Sequence, residues 1–425
     1  MLDRRRITIT ILCVALIESM VFAQAARTPY SSFGIGEYFG PAMVHNQGMA
    51  GVGISNPQYW FLNNQNPALL PFNTLTVFEA GYIGEVRKVK GNESEERNGN
   101  GNLNYLALGV PVKPGRWSSS GGLMPYTNVN YKIEYLSSVV GSASDTIVVL
   151  ETGSGGINEV FWSNGVRINK DFSLGLKASY LFSSIDNDYT NTLLSSDQIS
   201  QYEVTLNEKQ YYSDFTFTAG AAFNKDSITR NNYKINIGAV YTFKSNIRTT
   251  FSQQFERSNS FGVVDTLVIS KDQITQSVFP PGFGVGASFG KGEYWLIGAD
   301  FVYLDYLQFQ DFQGQNPGTQ AAWKASLGGE FTPNPNSVSS YFNRVTYRTG
   351  VSLENYPYLI NGEAVRDFGI NFGFSLPVSR ISSIDMAFKF GTRGDVAKNT
   401  IEESYFKIYL GVTFNDQWFI KRRFD

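Results

Sequence analysis

From Leu103 to Phe414 the chain keeps returning to one pattern, a run of roughly ten residues in which apolar and polar side chains alternate. The last run is the clearest. Phe406, Ile408, Leu410, Val412 and Phe414 fall on one face, and Tyr405, Lys407, Tyr409, Gly411 and Thr413 on the other. Such a face must be covered. The chain has hardly any helical stretch to do so, which leaves lipid as the covering phase and a closed transmembrane β-barrel as the fold, since a barrel satisfies its backbone without leaving an edge. The expected class is all-β, an antiparallel barrel of about 14 strands with an N-terminal plug, or hatch, inside the lumen.

The first residues read as a targeting segment. Arg4, Arg5 and Arg6 precede the apolar stretch Ile7 to Phe22, which ends in the small residues Ala23 and Ala25. This predicts a signal peptide over residues 1–25, export from the cytoplasm, and loss of Cys13, the single cysteine. The mature chain would then have no disulfide, thiolate metal site or cysteine nucleophile. Lys and Arg number 35 against 37 for Asp and Glu, so nothing in the charge draws the chain to nucleic acid. Aromatics at 15% and 41 glycines suit a barrel with aromatic girdles and with glycines where strands bend.

Turn signals divide the chain further. Residues 26–73 are rich in Gly, Pro and Asn without sustained alternation, and form the expected hatch. Residues 74–414 form the barrel and 415–425 a periplasmic tail. Connections after even-numbered strands are mostly short, such as Lys113-Pro114-Gly115-Arg116 and Asn169-Lys170-Asp171. Those after odd-numbered strands are mostly long and polar: Gly91–Gly101, Leu136–Gly156, Ile185–Lys209, Lys244–Val278 and Asp305–Thr319. That alternation puts both termini in the periplasm and the long loops outside. Asp145–Glu151 and Val263–Ile269 could add extracellular hairpin strands to the count. Lys389 alternates with Phe388 and Phe390, and a charge facing lipid at mid-depth would cost roughly 2–4 kcal/mol, so it is assigned to the lumen.

The segment Gly48-Met-Ala-Gly-Val-Gly-Ile-Ser55 followed by Asn66-Pro67-Ala68-Leu69-Leu70 resembles the hatch of the FadL-type outer-membrane transporters of long-chain fatty acids and aromatic hydrocarbons. In that family a Gly-rich stretch precedes an Asn-Pro-Ala motif and the first strand, which Thr74 opens here. The opening Thr28 to Gly36 and the closing Asn415 to Arg423 look like the variants found in Bacteroidota. The resemblance implies a plugged lumen and a lateral gap in the third strand; the turn Asn66-Pro67-Ala68 is either structural only, with Asn66 bonding its own backbone and Pro67 fixing φ, or part of a hatch that rearranges to open a path, which Gly48, Gly51 and Gly53 allow. Gly121, Gly122 and Pro125 interrupt the third strand, and proline cannot donate to a ladder; either a barrel-closing bulge or the family's inward kink would account for them. The chain departs from the usual barrel by continuing past Phe414 into Trp418, Phe419 and a basic tail, which either rests at the interface or docks a partner.

Other motifs carry less. Phe279-Pro280-Pro281-Gly282-Phe283 reads as an extracellular turn or the lining of a hydrophobic collecting groove. Asp186-Asn187-Asp188 has calcium-like spacing without the remaining ligands, and Arg393-Gly394-Asp395 reads as an extracellular turn. Catalysis is not expected, because His45 is the single histidine and lies in the hatch with a hydrogen-bonding role, and no Gly-x-Ser-x-Gly elbow or metal spacing exists. No cofactor is expected. The resulting function is passive uptake of hydrophobic small molecules, such as long-chain fatty acids, across the outer membrane, by hatch opening and lateral release. The alternative is a FadL-like barrel serving as an accessory subunit of an outer-membrane secretion or barrel-assembly complex. A general diffusion porin is disfavoured by the hatch. Expected partners are outer-membrane lipid, a hydrophobic ligand and other outer-membrane proteins.

Overall fold

A computed structural model describes residues 26–92, 94–138, 146–194, 203–226, 228, 232–259, 262–379 and 381–416. The expected signal peptide with Cys13, and Trp418 and Phe419 of the tail, lie outside the described residues. A short strand β1 (Glu37–Tyr38) belongs to the N-terminal segment. The wall follows as β2 (Thr76–Lys90), β3 (Glu95–Lys113), β4 (Trp117–Pro125), β5 (Thr127–Ser138), β6 (Thr146–Arg167), β7 (Phe172–Leu194), β8 (Glu203–Lys225) and β9 (Tyr233–Thr242). It continues as β10 (Ser245–Asn259), β11 (Gly262–Phe279), β12 (Gly282–Lys291), β13 (Trp295–Leu304), β14 (Ala322–Phe331), β15 (Thr346–Ile360), β16 (Glu363–Pro377), β17 (Ser383–Gly394) and β18 (Glu402–Asp416).

These segments make fourteen wall strands, because β4 with β5, β9 with β10, and β11 with β12 are single strands interrupted mid-wall. Every pairing is antiparallel, and β18 closes on β2 from Glu402↔Lys90 to Asp416↔Thr76. The alternation read from sequence appears as two faces. Leu410 and Phe414 are exposed to the lipid side, while Tyr405, Tyr409 and Thr413 are buried within. Among the described residues no helix is long and apolar enough to cross a membrane, so the strands carry the span.

Several expectations are corrected. Most of the supposed long loops are strand: β7, β8, β10 and β11 run on well past the lipid band as a paired crown. Asp145–Glu151 and Val263–Ile269 contribute to these extensions of β6 and β11 and add no hairpin, although Asp145 itself lies outside the described residues. Above the bilayer neither face needs to be apolar, so the alternation vanishes although the ladder does not. Pro280-Pro281 is not an extracellular turn but the mid-wall break between β11 and β12, beside the break at Phe243-Lys244 on the neighbouring strand. Arg393 does not sit in a turn; it is the penultimate residue of β17, opposite Glu403, and its side chain is buried inside the barrel.

Candidate functional site

The N-terminal segment lies in the bore. It contains a one-turn helix α1 (Val44–Gln47) and a 3-10 turn over Pro67–Phe72, and most of it is buried. Its path follows a belt of inward-facing glycines on successive strands. Gly165, Gly175 and Gly220 are register partners across β6, β7 and β8, and Gly298, Gly328 and Gly350 across β13, β14 and β15. A side chain at Gly328 would put its Cβ 2.4 Å from the carbonyl oxygen of Met49, and one at Gly238 would come within 2.0 Å of that of Ile54. The belt therefore lets plug backbone touch wall backbone. These glycines serve close approach, not only the strand bending that composition suggested.

Polar pegs fix the plug's angle. Asp300 on β13 accepts from the amides of Gly53 and Ile54 at 2.7 and 2.9 Å. Glu79 on β2 accepts from that of Leu62 at 2.7 Å. Asn66 does double duty: its Oδ1 caps the amide of Ala68 at 3.0 Å, while its Nδ2 donates to Ile54 O and, on β8, to Ala221 O. Pro67 opens the 3-10 turn, where its missing N–H costs nothing. Gly48 packs against Gly373, Gly51 takes a positive φ of 89°, and a Cβ at Gly53 would strike the Gln65 side chain. His45 does not take its expected hydrogen-bonding role through Nε2, which has no partner among the described residues. Its ring stacks on Phe61 at 4.5 Å, and burial, reinforced by Arg348, holds its pKa well below 6.5.

The barrel wall is interrupted next to Gly121, Gly122 and Pro125. The β3–β4 ladder runs from Lys113↔Trp117 to Leu106↔Leu123 and stops, while β4 stays paired with β6 through Pro125↔Asn158. Beyond Pro125 the strand continues as β5, which pairs with β6 but not with β3. The N-terminal segment occupies its other edge. Glu37 and Tyr38 pair with Asn128 and Thr127, the amide of Thr28 donates to Asn130 O at 2.9 Å, and that of Phe39 donates to Tyr126 O at 3.1 Å.

A buried ion cluster ties this segment to β2, β17 and β18, across the interruption from β5. Glu37 meets Arg393 at 2.6 Å, Arg87 at 3.2 Å and Lys407 at 3.6 Å. Arg393 also reaches Asp367, and Arg87 reaches Glu85 and Glu403. The Thr28 hydroxyl donates to Glu403 at 2.5 Å. Lys389 pairs with Asp367 at 3.4 Å, on the lumen side as read from the sequence. Burial alone would push the Glu37 carboxyl up, but Arg393, Arg87 and Lys407 hold it well below the usual carboxylate range. The four cations balance the four anions, the condition under which buried charges persist. Sequence reasoning found Lys389 from its alternation but missed Arg87, Arg393 and Glu37. Glu37 lies 356 residues from Arg393 and Glu403 316 from Arg87, and no local spacing announces the cluster.

Between plug and mouth lies a cavity of about 200 Å³. Its walls mix Tyr126, Val302 and Leu304 with Lys324, Glu354 and Asp300. Tyr306 and Phe309 fold inward from the 305–321 connection into an apolar cluster with Tyr212 and Phe279. Asp186, Asn187 and Asp188 lie on β7, and among the described residues no group of His, Cys, Asp and Glu is placed to hold a metal ion.

Fold and site together define a closed fourteen-strand transmembrane-type β-barrel with its N-terminal segment inside. Its likeness to solved structures is one of fold. The crystal structure of the P. putida toluene transporter TodX aligns with a TM-score of 0.56 at 15% identity, covering 90% of this chain and 99% of that one. The CymD monoaromatic hydrocarbon channel gives 0.54 at 13%, covering 91% and 99%. A Pseudomonas aeruginosa FadL homologue gives 0.55 at 12%, covering 89% and 99%. Among curated protein sequences there is no significant match. The family model BamG matches residues 4–425, and the chain belongs to the BamG family.

Proposed function

We propose that the chain is a plugged, non-conducting barrel that serves as an accessory subunit of an outer-membrane complex handling other β-barrels. The observation that carries this reading is the way the plug is held. Freeing the segment from Thr28 to Phe39 separates Glu37 from three buried cations, and breaking one buried pair typically costs about 3–5 kcal/mol. A ligand gains roughly 0.8 kcal/mol per buried methylene, so four to six methylenes would be spent on one such rupture before any net opening. The crown of long strands from β5 to β11 offers a surface for neighbours. Purification from the outer membrane in mild detergent tests it: a stoichiometric complex with other barrel proteins is expected, and a lone barrel that binds fatty acid or toluene would overturn it.

A second reading, passive uptake of hydrophobic small molecules, is favoured by the interrupted wall. If the segment from Thr28 to Phe39 withdrew, the unpaired stretch between β3 and β5 would join the cavity to the membrane, and Gly121, Gly122 and Pro125 would border the exit. The solved structures titled as hydrocarbon channels and transporters share the fold. Uptake of a radiolabelled fatty acid or of toluene by cells carrying the chain, lost on cross-linking residue 37 to the wall, would establish this reading over the first.

A further inference from the structure

We infer that the outer surface of the barrel, where β17, β18, β2 and β3 adjoin, is a binding site for a phosphorylated glycolipid of the outer leaflet. The register places Thr392, Ser404, Lys88 and Arg97 side by side in one row across these four strands. The row below it, toward the membrane centre, is Phe390, Phe406, Val86 and Gly99. A groove runs through both rows and takes in Ile370 and Phe368 from β16. Two hydroxyls, an ammonium and a guanidinium thus stand directly above an apolar trough. The side opposite the termini is the outer one, so this boundary lies at the headgroup level of the outer leaflet.

The charge pattern asks for an anion. Lys88 and Arg97 are direct cross-strand partners, and like charges so placed repel. Glu95 takes up Lys88 at 2.8 Å, whereas Arg97 has no ion pair among the described residues. A phosphate at this height would accept from Arg97 and from the Thr392 and Ser404 hydroxyls, with acyl chains lying over Phe390 and Phe406.

The test uses the full mature chain in mild detergent, its folding checked by heat-dependent gel mobility. Native mass spectrometry would follow titration with bisphosphorylated lipid A, dephosphorylated lipid A and phosphatidylglycerol. A single lipid A adduct is expected, about tenfold weaker or more for the dephosphorylated form and for the double variant Lys88→Ser/Arg97→Ser, two contacts of this kind being lost. The periplasmic control Arg116→Ser should bind as the wild type does. Equal binding of phosphorylated and dephosphorylated lipid A by the unaltered chain would overturn the inference without recourse to any variant. Phosphatidylglycerol binding as tightly as lipid A, or a double variant of unchanged affinity, would overturn it as well.

Discussion

Glu37→Gln isolates what the buried ion cluster does for the plug. The substitution keeps the side chain's shape but removes the anion that faces Arg393 at 2.6 Å, Arg87 at 3.2 Å and Lys407 at 3.6 Å. Arg393 retains Asp367 and Arg87 retains Glu85 and Glu403, so the cluster is left with one uncompensated buried positive charge. The expected cost is about 3–5 kcal/mol. At 1.36 kcal/mol per decade this raises the local opening constant of the N-terminal segment by roughly two to four orders of magnitude. Hydrogen exchange read by mass spectrometry reports it through the amides of Thr28 and Phe39, which bond to Asn130 on β5 and to Tyr126 just before it. Amides in β13 to β16 should keep their protection, because the wall ladders are untouched. Glu96→Gln is the control: its pair with Arg27 spans 3.9 Å at an exposed site and is worth about 1 kcal/mol or less. Replacing both partners, as in Glu37→Gln/Arg393→Met, should recover part of the loss, since the orphaned charge goes with its partner. Exchange of Thr28 and Phe39 unchanged within about threefold in Glu37→Gln would refute the claim that this cluster holds the plug.

Other outcomes follow from the same geometry. Gly328→Val should prevent native packing, at a cost of several kcal/mol (about 3 or more), because its Cβ would sit 2.4 Å from a plug carbonyl; outward-facing Gly84→Ala should leave heat-dependent mobility unchanged. Asp300→Ala strands the amides of Gly53 and Ile54 and should destabilise the plug by about 2–4 kcal/mol, seen as faster exchange of those two amides alone. The acid response has two parts. His45 is held neutral well below 6.5, so its contribution is complete above pH 6.5 and declines as pH falls below that value; His45→Phe should flatten this slope in plug protection. Glu37 has a depressed pKa, so its contribution is present above the ordinary value of 4.5 and is lost as pH falls through the lower folded value; Thr28 protection should fail there and not at neutral pH.

The wall was legible because lipid imposes a period of two wherever it touches a strand. The runs from Val365 to Phe414 fall on strands with their apolar members outward, as in Phe368, Ile370 and Phe390. Strand length was not legible: the upper halves of β7, β8, β10 and β11 face water on both sides, and polar strand looks like polar loop. Pro280-Pro281 misled for a related reason, since a break that a barrel tolerates in mid-wall has the composition of a turn. The plug's position relies on glycines whose neighbours are distant in sequence, such as Gly328 against Met49. Arg393 was read with Gly394 and Asp395 as a turn because its ion partners come from β1, β16 and β18. Asp367 and Glu403 are its register partners on the adjacent strands, and Glu37 reaches it only because the N-terminal segment returns through the bore.

Conductance of the purified protein in a planar bilayer tests the central claim most directly. With the plug seated along the glycine belt and pinned at Glu37, the wild-type barrel should pass no steady ionic current, and Glu37→Gln should introduce brief openings. A wild-type chain that conducts stably, at the level of a water-filled barrel of this width, would contradict the account.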